Sequence, residues 1–318
     1  MRNFESAAVI GTGMMGPGIA LTLALGGLRT TILSRTEEGA RRGLETTRSQ
    51  ARLLADNGLA DATQAQRAAG LLDSTTAFDE TVACVDLVIE SAPEDMEFKQ
   101  SLFARMDEIA KAEAVLATNT SGLSITAIAS RCGHPERVLT THFWNPPHLM
   151  PLVEIVKGAR TSDDVASSVR ELMARCGKVP VIVKKDRPGQ LGNRLQMAMV
   201  REAIHIVGEG IADVEDVDLA ASCGFGLRLP AYGIFEHMDI VGLDLAHAVA
   251  DYAARDLYNQ PQAPPLMKEK LARGELGVKT GKGFYDWSKK SVEEVKARRD
   301  RFVLEFLRSK RARTVSSA

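Results

Sequence analysis

Several polar side chains of this chain fall where apolar runs end. Ser121 lies in "LATNTSGLSI", His142 and Asn145 in "THFWNPPHLM", and Glu154 inside the apolar "PLVEIV". A histidine at a crevice is suited to take or return the proton of a reacting hydroxyl. A glutamate within an apolar strand must find a partner to be buried. An imidazole N–H is such a partner; the pair would fix the tautomer and steady the imidazolium that forms. Each residue alone also fits an ordinary strand end satisfied by backbone. Together they point to acid–base work on a hydroxyl or carbonyl.

A carrier for the accompanying hydride is written near the N-terminus. "GTGMMG" places Gly11, Gly13, Met14, Met15 and Gly16 between an apolar run and a helix-like stretch. Gly11 permits a tight turn, Gly13 lets backbone approach a pyrophosphate, and Gly16 lets helix and strand pack closely. A dinucleotide clamp is expected. The second strand should end in an acid for the ribose hydroxyls, but "TILSRTEEG" offers Ser34 and Arg35. A serine with a guanidinium suits a 2′-phosphate, so NADP is favoured, with Arg41 and Arg42 adding positive field. NAD is the alternative, with Arg35 stacked on adenine or merely solvated.

The elements that must position these groups alternate. Strands are expected at Ala7–Ile10, Thr30–Leu33, Leu87–Glu90, Ala114–Ala117, Val138–Phe143, Leu152–Val156 and Val179–Val183. Several are continuously apolar, as strands covered on both faces are. The fold class expected is α/β: a Rossmann-type, doubly wound, mostly parallel sheet followed by an all-α C-terminal domain. A charged helical hairpin inserts at about 37–69, broken at "DNG" (Asp56–Gly58). The Pro-Gly pair in "KKDRPGQLGN" marks a junction, dividing the chain into 1–185 and 186–318. The second part opens on a helix with Leu191, Leu195, Met199 and Ile206 on one face, and ends in an added basic helix.

Composition excludes other classes. A net charge of −1 over 318 residues gives no reason to expect nucleic acid. No apolar run is long enough for a bilayer. Cys84, Cys132, Cys176 and Cys223 never form CxxC, and the histidines lack ligand spacing, so neither a metal nor a disulfide framework is expected. A reducing, cytoplasmic setting is the expectation.

With these residues in view, the chain resembles the L-3-hydroxyacyl-CoA dehydrogenase family, including 3-hydroxybutyryl-CoA dehydrogenases. The marks run in order to about Trp287: "GTGMMGPGIA", "DLVIESAPEDMEFK", "TNTSGLSI", "THFWNPPHLMPLVEI", "KDRPGQLGNRL" and "GVKTGKGFYDW". The resemblance implies His142 and Glu154 as the catalytic pair, with Ser121 and Asn193 holding the substrate oxygen. It implies cofactor contacts at Glu94, Lys99, Asn145 and Lys279, a role in fatty acid metabolism, and a homodimer formed through the helical domain. Three features depart from the family pattern. Ser34 replaces the acid after the second strand. The hairpin's usual serine and lysine for CoA fall near Thr47 and Leu54, so the lysine is missing. "NPPHLMPLVE" and "GNRLQMAMVREA" are similar to a subgroup with gulonate 3-dehydrogenase, lambda-crystallin and carnitine dehydrogenase, which does not use CoA. The substrate expected is an acyl-CoA or, alternatively, a non-CoA 3-hydroxy acid or polar alcohol; a crystallin-like protein without turnover is the remaining reading.

Overall fold

In the computed structural model, residues 2–316 are described, with side chains through 311. Strands β1 (Ser6–Ile10), β2 (Arg29–Leu33), β3 (Leu72–Thr75), β4 (Leu87–Glu90), β5 (Val115–Thr118), β6 (Val138–Phe143), β7 (Leu152–Lys157) and β8 (Val179–Val183) form one sheet. Its order is β3-β2-β1-β4-β5-β6-β7-β8. Pairing is parallel except at β6 and β7, so β7 and β8 run against the other six. Helices α1 (Gly16–Leu25), α2 (Glu37–Asp56), α3 (Ala62–Gly70), α4 (Phe78–Cys84), α5 (Met96–Ile109), α6 (Ile125–Ile128) and α7 (Asp163–Arg175) accompany it.

The sequence dictates this layering. β4, β5 and β6 are buried at every position, because they are wholly covered. One apolar cluster joins Val9, Ile32, Ile89 and Phe143 to Ile19 and Leu23 of α1 and to Val169 of α7. The other joins Val88, Leu116 and Val138 to Phe103 and Met106 of α5. All seven expected strands are present. β3 is additional: its "LDST" is short and polar at an edge, paired among the described residues only with β2. The hairpin breaks where expected, with α2 ending at Asp56 and Gly58 in the left-handed region at φ 68°.

The remaining helices are α8 (Gly192–Gly208), α9 (Val214–Cys223), α10 (Phe225–Arg228), α11 (Ile234–Val241), α12 (Leu243–Ala253), α13 (Pro265–Ala272) and α14 (Val292–Ser316). By compactness the chain divides into Met1–Asn193 with Arg299–Ala318, and Arg194–Arg298. This differs from the 185/186 division read from the sequence in two ways. "PGQLGN" belongs to the sheet unit, because its backbone N–H groups bond to β7. The end of the added helix also belongs there. Val303 and Leu304 pack with Leu21, Ala51 and Leu54, and the Arg308 Nε donates to Asn57 O at 2.7 Å.

Candidate active site

The glycine loop is shaped as its sequence requires. Gly11 sits at φ 111°, and a Cβ there would meet Ser91 O at 2.4 Å, so glycine is required twice over. A Cβ on Gly16 would meet Gly11 O at 1.9 Å, which keeps strand and helix close. Gly13 is exposed, with nothing within 4 Å of the place of its Cβ, and Met14 beside it is exposed. Met15 packs on the core. The α1 N-terminus has no side-chain cap, so its first N–H groups remain for an anion. These residues fit a dinucleotide pyrophosphate.

At the end of β2, Ser34 is half-buried and its Oγ accepts from the Thr36 N–H at 3.4 Å. Thr36 caps α2 through the Gly39 N–H. Arg35 is exposed and makes no ion pair among the described residues. Arg41 pairs with Glu45 and Arg42 with Glu38, while Glu37 and Glu38 occupy the first turn of α2. The expected extra positive field is therefore largely neutralised.

The residues after β4 and β5 are tied together. Glu90, buried at the end of β4, is held by Lys99 Nζ at 2.6 and 2.8 Å and by Thr118 Oγ1 at 2.6 Å. Lys99 is only 1% exposed. Its ammonium bonds to Glu90 and lies 3.9 Å from Glu94 Oε2. Glu94 accepts from Thr120 Oγ1 at 2.6 Å and from the Ser121 N–H at 2.7 Å. Asn145 is exposed, just beyond β6.

The register of β6 against β7 puts His142 directly opposite Glu154. Nδ1 of His142 donates to Glu154 Oε2 at 2.7 Å; Nε2 carries no hydrogen bond among the described residues. The Trp144 indole N–H donates to the same oxygen at 3.0 Å. Glu154 Oε1 accepts from the N–H groups of Leu191 and Gly192 at 3.0 and 2.8 Å. Burial alone would raise the Glu154 pKa, but the bonds from His142, Gly192 and Trp144 outweigh it and hold the carboxyl below its usual range. The arrangement is a buried anion aimed at one side of a histidine whose other nitrogen is unpaired.

Asn193 completes the strap that holds Glu154: its Nδ2 donates to Ser121 O at 3.1 Å. Ser121 and Asn193 are thus brought together, and Ser121 Oγ has no partner among the described residues. Lys279 lies on an exposed turn of the helical unit. Trp144, Glu90 and Gln190 were not singled out in the sequence. Gln190 bridges the same strap to Thr120 O at 2.8 Å, from a left-handed backbone at φ 54°. No residue type marked these three; the glutamate in "LVIE" was the one available signal, an acid ending an apolar run like that in "PLVEIV". Among the described residues, no three His, Cys, Asp or Glu side chains gather to hold a metal, and no helix is long and apolar enough to cross a membrane.

Residues 6–187 match the family described as 3-hydroxyacyl-CoA dehydrogenase, NAD binding domain, and residues 189–287 match its C-terminal domain. The chain is 31% identical over 297 residues to 5-formyl-3-hydroxy-2-methylpyridine 4-carboxylate 5-dehydrogenase of Mesorhizobium japonicum, covering 93% of this chain and 95% of that protein. It is 36% identical over 284 residues to 3-hydroxybutyryl-CoA dehydrogenase of Clostridioides difficile, covering 89% and 99%. A crystal structure of the pyridine-carboxylate dehydrogenase, described as an NAD+ dependent dismutase, superposes with a TM-score of 0.88 at 31% identity over 96% of this chain and 98% of that one.

Proposed function

This chain belongs to the 3-hydroxyacyl-CoA dehydrogenase family, and on that premise we propose that it interconverts the hydroxyl and carbonyl forms of a free hydroxy acid or related polar alcohol, with NAD as hydride carrier. It is an oxidoreductase acting on CH–OH. The observation that carries the mechanism is the His142–Glu154 pair at 2.7 Å. A bound nicotinamide would accept or return the hydride. His142 Nε2 takes the hydroxyl proton in oxidation and gives it back in reduction. Glu154 keeps the ring in the tautomer with Nδ1 protonated and stabilises the imidazolium. The Leu191 and Gly192 N–H groups keep the carboxylate from rotating away. Ser121 Oγ and the Asn193 amide hold the reacting oxygen as charge develops on it.

Two observations support a substrate without CoA. Thr47, near the family's CoA serine, is fully buried and bonds to Gly43 O and Pro17 O. Leu54, near the missing lysine, is covered by Val303 and Leu304 of α14. Thr47 is thus closed to a ligand, and Leu54 offers no charge to a CoA tail. The pyridine-carboxylate dehydrogenase structure is also more similar in shape, with a TM-score of 0.88 against 0.75 for a 3-hydroxybutyryl-CoA dehydrogenase. A CoA ester keeps the support of the 3-hydroxybutyryl-CoA dehydrogenase relatives. Side-by-side kinetics decide: turnover of small hydroxy acids with no turnover or inhibition by 3-hydroxybutyryl-CoA is expected, and the reverse pattern overturns it.

NAD is proposed over the NADP expected from Ser34 and Arg35, because the α2 glutamates offset the nearby arginines and would repel a 2′-phosphate. A homodimer is supported by the helical unit's bare apolar faces, with Phe235 80%, Ile240 74% and Tyr252 83% exposed on α11 and α12. Sedimentation at micromolar concentration tests it; a monomer there removes the proposal.

A further inference from the structure

Apart from His142 and Glu154, the sheet unit carries a half-open cavity of about 400 Å³. Its wall is built from α1, the corner between α2 and α3, the loop after Pro147, the end of α7 and α14. None of Gly13, Ser121, His142, Glu154 or Asn193 lines it. Its volume is in the range of small-molecule sites.

Its lining divides by chemistry. Leu25, Leu54, Leu59, Leu149 and Leu307 supply aliphatic walls. Arg175, Lys178, Lys310 and Arg311 supply positive charge, and among the described residues no aspartate or glutamate lines the space. The partners of three of these cations are backbone oxygens. Arg175 donates to Phe4 O at 3.0 Å, and Arg311 to Gly58 O at 3.1 Å. Lys178 Nζ donates to Pro147 O and, at 3.0 Å, to Met150 O. Carbonyl dipoles orient a cation but do not neutralise it, so the cavity keeps a positive field. We propose that it binds a small organic anion with an aliphatic body, of the medium-chain carboxylate class, the carboxylate meeting the cations and the chain lying on the leucines.

The ionisation of the wall gives the proposal a signature. Lys178 shares this wall with Arg175 and Cys176 at the end of α7, His148 on the loop, and Lys310 and Arg311 on α14. Burial pushes Lys178 down to about 8. Burial also takes His148 to about 4, with Lys178 adding to the effect and Asp300 of α14 opposing it. Burial lifts the Cys176 thiol to about 12. His148 is therefore neutral from pH 6 to 9, Cys176 is a neutral thiol, and Lys178 loses its proton within that range. A bound carboxylate holds that proton in place, so binding weakens as pH rises past 8.

Calorimetric titration of the full chain with hexanoate tests this. One saturable site per chain is expected at pH 7, weakening about tenfold at pH 9. Hexanol and inorganic phosphate, each carrying half of the chemistry, should bind at least about tenfold more weakly. Lys178→Met should abolish binding but could loosen the loop it holds. Leu307→Trp is the second variant: it fills the cavity from α14, should eliminate hexanoate binding, and should leave turnover unchanged. Hexanoate binding that survives Leu307→Trp would place it at the hydroxyl-binding end and overturn the proposal. So would no binding by the wild type, a pH-independent affinity, or displacement of hexanoate by coenzyme A, which would make the cavity part of a thioester site. None of these outcomes depends on whether His142 acts as proposed.

Discussion

Two glutamates lie in strands of the same sheet with no exposed surface, and they do different things. Glu90 ends β4 and faces Lys99, Thr118 and the Ala92 N–H. Glu154 lies in β7 and faces His142, Trp144 and two N–H groups of the strap. Both are saturated with donors, as buried carboxylates must be. The difference lies in the partner. Lys99 is closed into the interior with its ammonium on Glu90, so we propose that its pair braces the loop. His142 spends one nitrogen on its glutamate and keeps the other without a partner among the described residues, so in the proposed mechanism the same kind of anion is the rear support of a proton shuttle. Burial of a charged pair does not by itself mark a reacting site; an unspent atom on the partner does.

The largest effect should come from removing that atom. His142→Gln is expected to lower kcat by about 10²- to 10⁴-fold, with NADH binding by fluorescence and melting temperature nearly unchanged. Near wild-type turnover would erase the distinction between the two glutamates. Lys99→Met should show the opposite profile. It strands Glu90 as a buried unpaired anion and should cost about 3–5 kcal/mol in urea unfolding, with kcat per folded molecule almost intact. Adding Glu90→Gln should recover much of that loss; failure to do so would show Lys99 acting beyond its pair.

Glu154→Gln sharpens the contrast further. An amide NH₂ would face the His142 and Trp144 N–H groups, so the ring must change tautomer or swing away. A loss of about 100-fold or more in kcat is expected. The same variant should flatten the acid limb of stability. The folded Glu154 pKa is below its ordinary 4.5, so its contribution is present above that value and fades as pH falls through the lower folded one. Arg35→Ala should have the smallest effect, about threefold or less on NADH affinity. A wild type that prefers NADPH, and loses that preference in this variant, would return the carrier to NADP.

The strands and glycine turn were legible because buried parallel strands must be apolar and the turn needs glycine at Gly11. His142 and Glu154 were legible because a lone acid in "PLVEIV" demands a partner. The resemblance implies a cofactor contact at Lys99; its bond to Glu90 depends on how α5 lies against β4, and no local pattern encodes that. Pro188-Gly189 reads as a linker, but no pattern in the sequence shows that Leu191 and Gly192 are fixed by bonds to Glu154. β3 escaped notice because an edge strand needs no apolar alternation. The docking of α14 was invisible because it rests on Arg308 meeting Asn57, far apart in the chain.

That docking changes the topology of the chain. Because Arg299–Ala318 returns to the sheet unit, the helical unit is not a terminal appendage but a loop with both ends anchored. Its unfolded form is a closed ring, which has less conformational freedom than a free tail. A single protease cut between 194 and 298 would therefore not release the C-terminal fragment. Val303, Leu304 and Arg308 would still seat it, and the two pieces should co-elute until a denaturant separates them.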